Sequence, residues 1–236
     1  MSPWASKTTP EPRPLEVEIS NAVQDYVKAI WSLSRRSDEP VSTSAIAERM
    51  GVSAASASAM VKRIEALGLV TRQPYHGVEL TQAGARVALA VIRHHRLLEL
   101  YLAEALGMSW DRVHAEAEVL EHAISPELSE LIAEKLGNPT HDPHGDPIPT
   151  ADGEIEEVPS RPLAEREPGD HGTFVRVSDA DPEMLRYLSE RGISPGDEFE
   201  VVGKEPFDGP ISVRFGKQVH VLGGALTRAM RTAGRT

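Results

Sequence analysis

The chain has 236 residues, enough for two or three domains; its 40% hydrophobic and 26% charged residues suit a globular protein, and it lacks the apolar run of about 18 residues that a membrane helix needs. It has no cysteine, which excludes disulfides and thiolate metal sites, fits a cytoplasmic protein, and leaves His, carboxylates, Met, backbone and water as metal donors. The net charge of −11 argues against a purely electrostatic nucleic-acid binder: a DNA-binding surface must be locally basic, with the acidic excess placed elsewhere or neutralised by bound cations.

Residues 1–18 are Pro-rich and lack a basic start followed by an apolar core, so a disordered leader is expected rather than a signal peptide. From Ser20 to Ser34, Val23, Val27, Ile30, Trp31 and Leu33 recur at helical spacing. Ser42 or Thr43 can cap a short second helix that Gly51 ends; Ser53 then caps a third, Ala54 to Leu67, closed by Gly68. Two short helices around a Gly-containing turn make a helix-turn-helix, and Leu69 to Thr81 reads as strand, turn, strand, a wing. Ser53, Ala55, Ser56, Ser58, Lys62 and Arg63 on the third helix, with Arg72 and His76 on the wing, are the expected DNA contacts. Helix pairs of this kind also occur in proteins that bind no DNA. The wing, and Thr81-Gln82-Ala83-Gly84 opening a long helix behind it, favour the DNA reading. Lys62, Arg63 and Arg72 are offset by Glu65 and Glu79, so binding should need the two surfaces of a dimer.

The following block, to about Leu136, is almost continuously helical in pattern. His95 and Glu99 are spaced i, i+4, and so are His114 and Glu118; Glu121 and His122 fall on the same stripe. Acidic helix faces are usually only solvated, and spacing alone favours that bland interpretation. Two helices that each carry His with Glu tilt it toward a hard-cation site. Asp111-Arg112-Val113-His114 is the nearest approach to a Glu-x-x-His pair, and no zinc-protease, nucleophile-elbow, P-loop or dinucleotide motif is present. An enzyme is therefore not expected. Residues 137–154, dense in Pro, Gly, Asp and Asn, read as a loop or linker. Beyond it the pattern changes to period two, at Thr173–Val177, Glu198–Val202, Ile211–Phe215 and Val219–Val221, the mark of short strands.

QDYVKAIW, SASAMVKRIEALGLV, RHHRLLE, DRVHAEAEVLEHAIS, DPHGDPIP and LGGALTRAM, in this order, resemble the diphtheria-toxin-repressor family of iron- and manganese-dependent regulators in its three-domain form. The resemblance runs from about Ile19 to near the end of the chain. It implies a mainly α fold with a small β domain: a winged helix-turn-helix (19–89), a helical dimerisation and metal-binding domain (90–152), a linker (153–164) and an SH3-like, FeoA-like β-barrel (165–236). It also implies two metal sites per subunit. The primary one would use Asp25, Glu118, Glu121 and His122; the ancillary one His95, Glu99 and His114, completed from the third domain by Asp181 and Glu183. Iron-sensing relatives carry Met and Cys where this chain has Asp25 and Glu118, whereas manganese-sensing relatives carry this Asp and Glu. Lys28 stands where short manganese regulators have a second acid, so two separated sites are expected rather than a paired cluster. Hard oxygen donors suit Mn(II), although Fe(II) would bind such a site at least as tightly. The expected protein is thus a homodimeric, Mn(II)-dependent repressor that binds double-stranded operator DNA and controls metal homeostasis. The alternatives are an Fe(II)-dependent repressor of the same family, a metal-independent winged-helix regulator with a small organic ligand, and a metal-binding enzyme or store.

Overall fold

The computed structural model describes residues 19–35, 39–73 and 77–234. The chain opens with α1 (Asn21–Ser34), α2 (Thr43–Met50) and α3 (Ala54–Ala66), followed by the antiparallel strands β1 (Val70–Gln73) and β2 (Gly77–Leu80). Of the two caps considered for α2, Ser42 serves: its hydroxyl accepts the Ala45 N–H, and Gly51 ends the helix in the left-handed region at φ 64°. Ser53 does the same for α3 by accepting from Ser56 N. Val23, Val27, Ile30, Ile46, Ala57, Val61, Ile64 and Val78 are buried together, which packs the helix pair and the wing onto α1. His76 lies outside the described residues.

Thr81 caps α4 (Gln82–Glu104) by accepting from Gly84 N. A Cβ on Gly84 would lie 1.9 Å from the Leu69 carbonyl oxygen, so glycine is what lets α4 start against the wing. This helix runs unbroken through 23 residues, and the boundary expected near residue 89 falls inside it. The helical stretch that follows is interrupted twice, giving α5 (Trp110–Leu120) and α6 (Pro126–Lys135). Gly107, at φ 67°, turns the first break; Ser125 caps α6 and Pro126 starts it at the second. Leu97, Leu98, Leu100, Ala117, Ile132, Ala133 and Ile148 close this core.

Residues 137–154 hold neither helix nor strand, yet much of the segment is buried. The Asp142 carboxylate accepts the N–H groups of His144 and Asp146, folding the chain on itself. Val177 N–H donates to the His144 carbonyl, and a Cβ on Gly145 would lie 1.9 Å from the Val175 carbonyl oxygen. What reads as a loop or linker packs against the third domain.

That domain contains β3 (Arg161–Pro162), β4 (His171–Val177), α7 (Pro182–Ser189), β5 (Glu198–Lys204), β6 (Ile211–Phe215), β7 (Gln218–Leu222), α8 (Gly224–Ala229) and β8 (Met230–Gly234). Its sheet order is β3-β8-β4-β5-β6-β7, curled around Phe174, Val177, Leu185, Leu188, Val213, Leu222 and Met230. The four strands expected from the sequence are β4 to β7. β8 is added because Met230 and Thr232 alternate inward between Arg231 and Ala233, a pattern muted by its small residues. No helix among the described residues is long and apolar enough to cross a membrane.

Candidate metal centre

α1 packs across α4, and α5 packs beside α4, so acidic and imidazole groups from three helices meet. Asp25 comes from α1. Glu121 is the residue that ends α5, and His122 follows it. His122 Nε2 lies 2.8 Å from Asp25 Oδ1 and 3.4 Å from Glu121 Oε1, while its Nδ1 lies 2.6 Å from Gln24 Oε1. With Gln24 accepting from Nδ1–H, Nε2 is free to act as a ligand. Burial, aided by the charges of Glu121 and Glu118, raises the pKa of Asp25 against the opposing pull of His122. A carboxyl that burial first, and two neighbouring carboxylates second, make costly to ionise is one that a cation would stabilise.

His95 occupies the middle. Its Nδ1 lies 2.6 Å from Glu121 Oε2, and its Nε2 lies 3.0 Å from Glu99 Oε1 and 3.1 Å from His114 Nδ1. Burial would lower the pKa of His95, but the hydrogen bonds to Glu121 and Glu99 outweigh it and raise it. Burial would raise Glu99, and bonds from His114 and His95, with His144 close by, instead hold it far below the usual carboxylate range. Asp179, just after β4, reaches back so that its Oδ2 lies 2.8 Å from His114 Nδ1. The Asp179 and Glu99 carboxylates push the His114 pKa up to about 10.

The third-domain contribution is therefore Asp179, not Asp181 or Glu183. Asp181 is occupied as the N-cap of α7, where it accepts from Glu183 N, and the Glu183 side chain is 88% exposed. Once Asp181 caps the helix, α7 carries Glu183 into solvent. Glu118 likewise departs from the expected quartet. Its donor groups with those of His95 and Glu121, whereas Asp25, Glu121 and His122 form a separate set.

The sequence reading missed a further set, Glu99, Asp142 and His144, all buried. His144 Nε2 donates to the Trp110 carbonyl at 2.8 Å, and the Trp110 ring stacks on it at 5.9 Å. The other ring nitrogen, Nδ1, is buried without a hydrogen-bond partner among the described residues and lies 3.8 Å from Glu99 Oε2. Burial, with Asp146 and Glu99 nearby, drives the Asp142 pKa well above its usual value. The available hint was His141, Asp142, His144 and Asp146 crowded into six residues of a Pro- and Gly-rich loop. Within each of these sets the donors are carboxylate oxygens and imidazole nitrogens no more than 4.8 Å apart, and one buried nitrogen lacks a partner among the described residues; both features fit a divalent cation.

On α3, Ala57, Val61 and Ile64 face the core, which turns Ser53, Ala55, Ser56, Lys62 and Arg63 outward, with Ser58 half-buried. Arg72 on the wing is exposed but paired with Glu65 at 2.8 Å.

Comparison with known proteins assigns residues 18–78 to the N-terminal DNA-binding domain of iron-dependent repressors, residues 81–150 to their metal-binding and dimerisation domain, and residues 161–230 to the FeoA domain. The iron-dependent repressor IdeR of Mycobacterium tuberculosis is 36% identical over 132 residues, an alignment spanning 56% of this chain and 57% of that relative's own length. The diphtheria toxin repressor of Corynebacterium efficiens is 31% identical over 205 residues, covering 80% of this chain and 86% of the relative. Among solved structures, a manganese-dependent transcriptional repressor in complex with manganese superposes with a TM-score of 0.83 at 45% identity, covering 90% of this chain and 100% of that one. The three matched domains in series, together with these relatives, show that the chain belongs to the diphtheria toxin repressor family of metal-dependent repressors.

Proposed function

We propose that this chain is a homodimeric, metal-dependent transcriptional repressor of operator DNA in the cytoplasm, and that Mn(II) is its activating ion. One observation carries the proposal: donors from the winged head and the helical core converge, with Asp25 on α1 meeting Glu121 and His122 at the end of α5. Asp25, Glu121 and His122, with Glu118 beside them, would hold the primary ion. Glu99, His95, His114 and Asp179, with Asp142 and His144 next to them, would hold a second. The metal supplies positive charge to carboxylates that repel one another and joins donors from separate domains.

The chain's own residues do the rest. Asp25 ties α1, and with it the helix-turn-helix, to the core; Asp179 ties the barrel to His114. Val119, Leu128 and Leu131, exposed on α5 and α6, supply an apolar face suited to a second copy. In such a dimer two fixed heads present their α3 helices at one spacing, matched to successive major grooves, whereas unfixed heads sample many spacings.

The all-oxygen and nitrogen donor set and the 45% identical manganese-dependent neighbour favour Mn(II). Fe(II) is the second reading, because the curated relatives include repressors named iron-dependent. The test is a titration of chelator-stripped protein with Mn(II) against a labelled operator duplex, followed by fluorescence anisotropy with Mg(II) as control. Binding that rises with Mn(II) alone supports the reading; equal binding by the stripped protein overturns it. Mn(II) and anaerobic Fe(II) at buffered free concentrations then separate the two ions.

A further inference from the structure

Lys28 enters the centre from α1, one turn after Asp25. Its ammonium lies 2.9 Å from Glu118 Oε1, 2.9 and 2.7 Å from the two Glu121 oxygens, and 3.3 Å from His95 Nδ1. These partners, His95, Glu118 and Glu121, are the residues whose donors form a cluster of their own between the Asp25 set and the His114 set. The place between the two flanking sets is thus taken by a cation that belongs to the chain. An ammonium donates three hydrogen bonds and accepts none, so the carboxylate oxygens of Glu118 and Glu121 are its natural partners, while His95 Nδ1 beside it is bonded to Glu121.

We propose that Lys28 is a tethered competitor of the metal ion, setting the free-metal concentration at which the centre loads. The proposal rests on the reading of this centre as a metal site. Both Glu121 oxygens face the ammonium, and Glu121 is also the carboxylate shared with Asp25 and His122. An ion that takes Glu121 must displace Lys28 or sit within a few ångströms of it, and like charges that close raise each other's energy. Because the Lys28 side chain is only 17% exposed, solvent screens this repulsion weakly. Lys28 also rides on the same helix as Asp25. In pairing with Glu118 and Glu121 it gives the head a weak, metal-independent hold on the core, which the ion replaces with a stronger one.

The test compares Mn(II) affinity in the full-length wild-type chain, Lys28→Met and Lys28→Arg, all chelator-stripped, by titrating free Mn(II) with its electron paramagnetic resonance signal. Lys28→Met keeps the apolar stem and removes the charge; Lys28→Gln substitutes for it if thermal unfolding shows that the Met variant does not fold. The expected result is that the neutral variant binds Mn(II) about tenfold more tightly while Lys28→Arg stays near wild type. Equal or weaker binding by the neutral variant, with the wild type binding normally, overturns the role of Lys28 alone. A wild type that takes up no Mn(II) overturns both this role and the metal reading beneath it.

Discussion

Glu121 sits at the crossing of the acidic network. It is buried to 1% exposure and faces Lys28, His95 and His122 at once. Glu121→Gln keeps the shape and removes the charge, so it is expected to abolish metal-dependent operator binding, read by anisotropy, while sedimentation still shows a dimer. His114 gives a pH signature in chelator-stripped protein. Asp179 and Glu99 raise its pKa from the ordinary 6.5 to about 10, so protonated His114 stabilises the fold fully below about pH 6.5. That contribution is lost as pH rises through 10. The melting temperature of stripped protein should therefore fall across this window, and less so for Asp179→Asn. At this scale the i, i+4 spacings of His95 with Glu99 and of His114 with Glu118 marked two helix faces, and it was the family resemblance that grouped His95, Glu99 and His114. Asp179 was not readable. It meets His114 only because the barrel folds back against α5, and a long-range contact leaves no periodic trace in the chain. Asp181 was the better match to the family's third-domain segment, but its side chain caps α7.

Among the elements, the helix-turn-helix was readable almost to the residue, because Ser42, Gly51 and Ser53 mark helix ends by local hydrogen bonding and backbone conformation. The loop from 137 to 154 was not. Its Pro and Gly content is the same whether such a segment is free or clamped, and burial of His144 depends on β4 and Trp110, far along the chain. Two elements lend themselves to direct tests. Gly84→Ala places a methyl against the Leu69 carbonyl and should destabilise the winged head by about 2 kcal/mol, measured by urea unfolding. Lys62 is exposed on the outer face of α3, where the proposed DNA reading expects it to meet phosphate. Lys62→Ala should weaken binding to operator and unrelated DNA alike and lower the slope of log affinity against log salt by about 1.

For the whole molecule, the acidic balance of −11 and the mild basicity of the reading helix fit together once the charge is located. Six of the carboxylates, Asp25, Glu99, Glu118, Glu121, Asp142 and Asp179, are gathered in the metal centre, where they meet histidines and Lys28. The barrel joins through Asp179 and through the joint at Gly145, so one region carries both the charge and the connection between domains. The unbroken α4 has a consequence for how the molecule can be taken apart. The winged head and the core share one rod of about 35 Å, so among the described residues no loop interrupts the chain between Gln82 and Glu104, where head passes into core. The largely exposed stretch from 154 to 159 is a different matter, lacking helix and strand. Limited digestion should sever the barrel there and leave head and core as a single fragment. A fragment ending near residue 89 would show instead that α4 opens in solution.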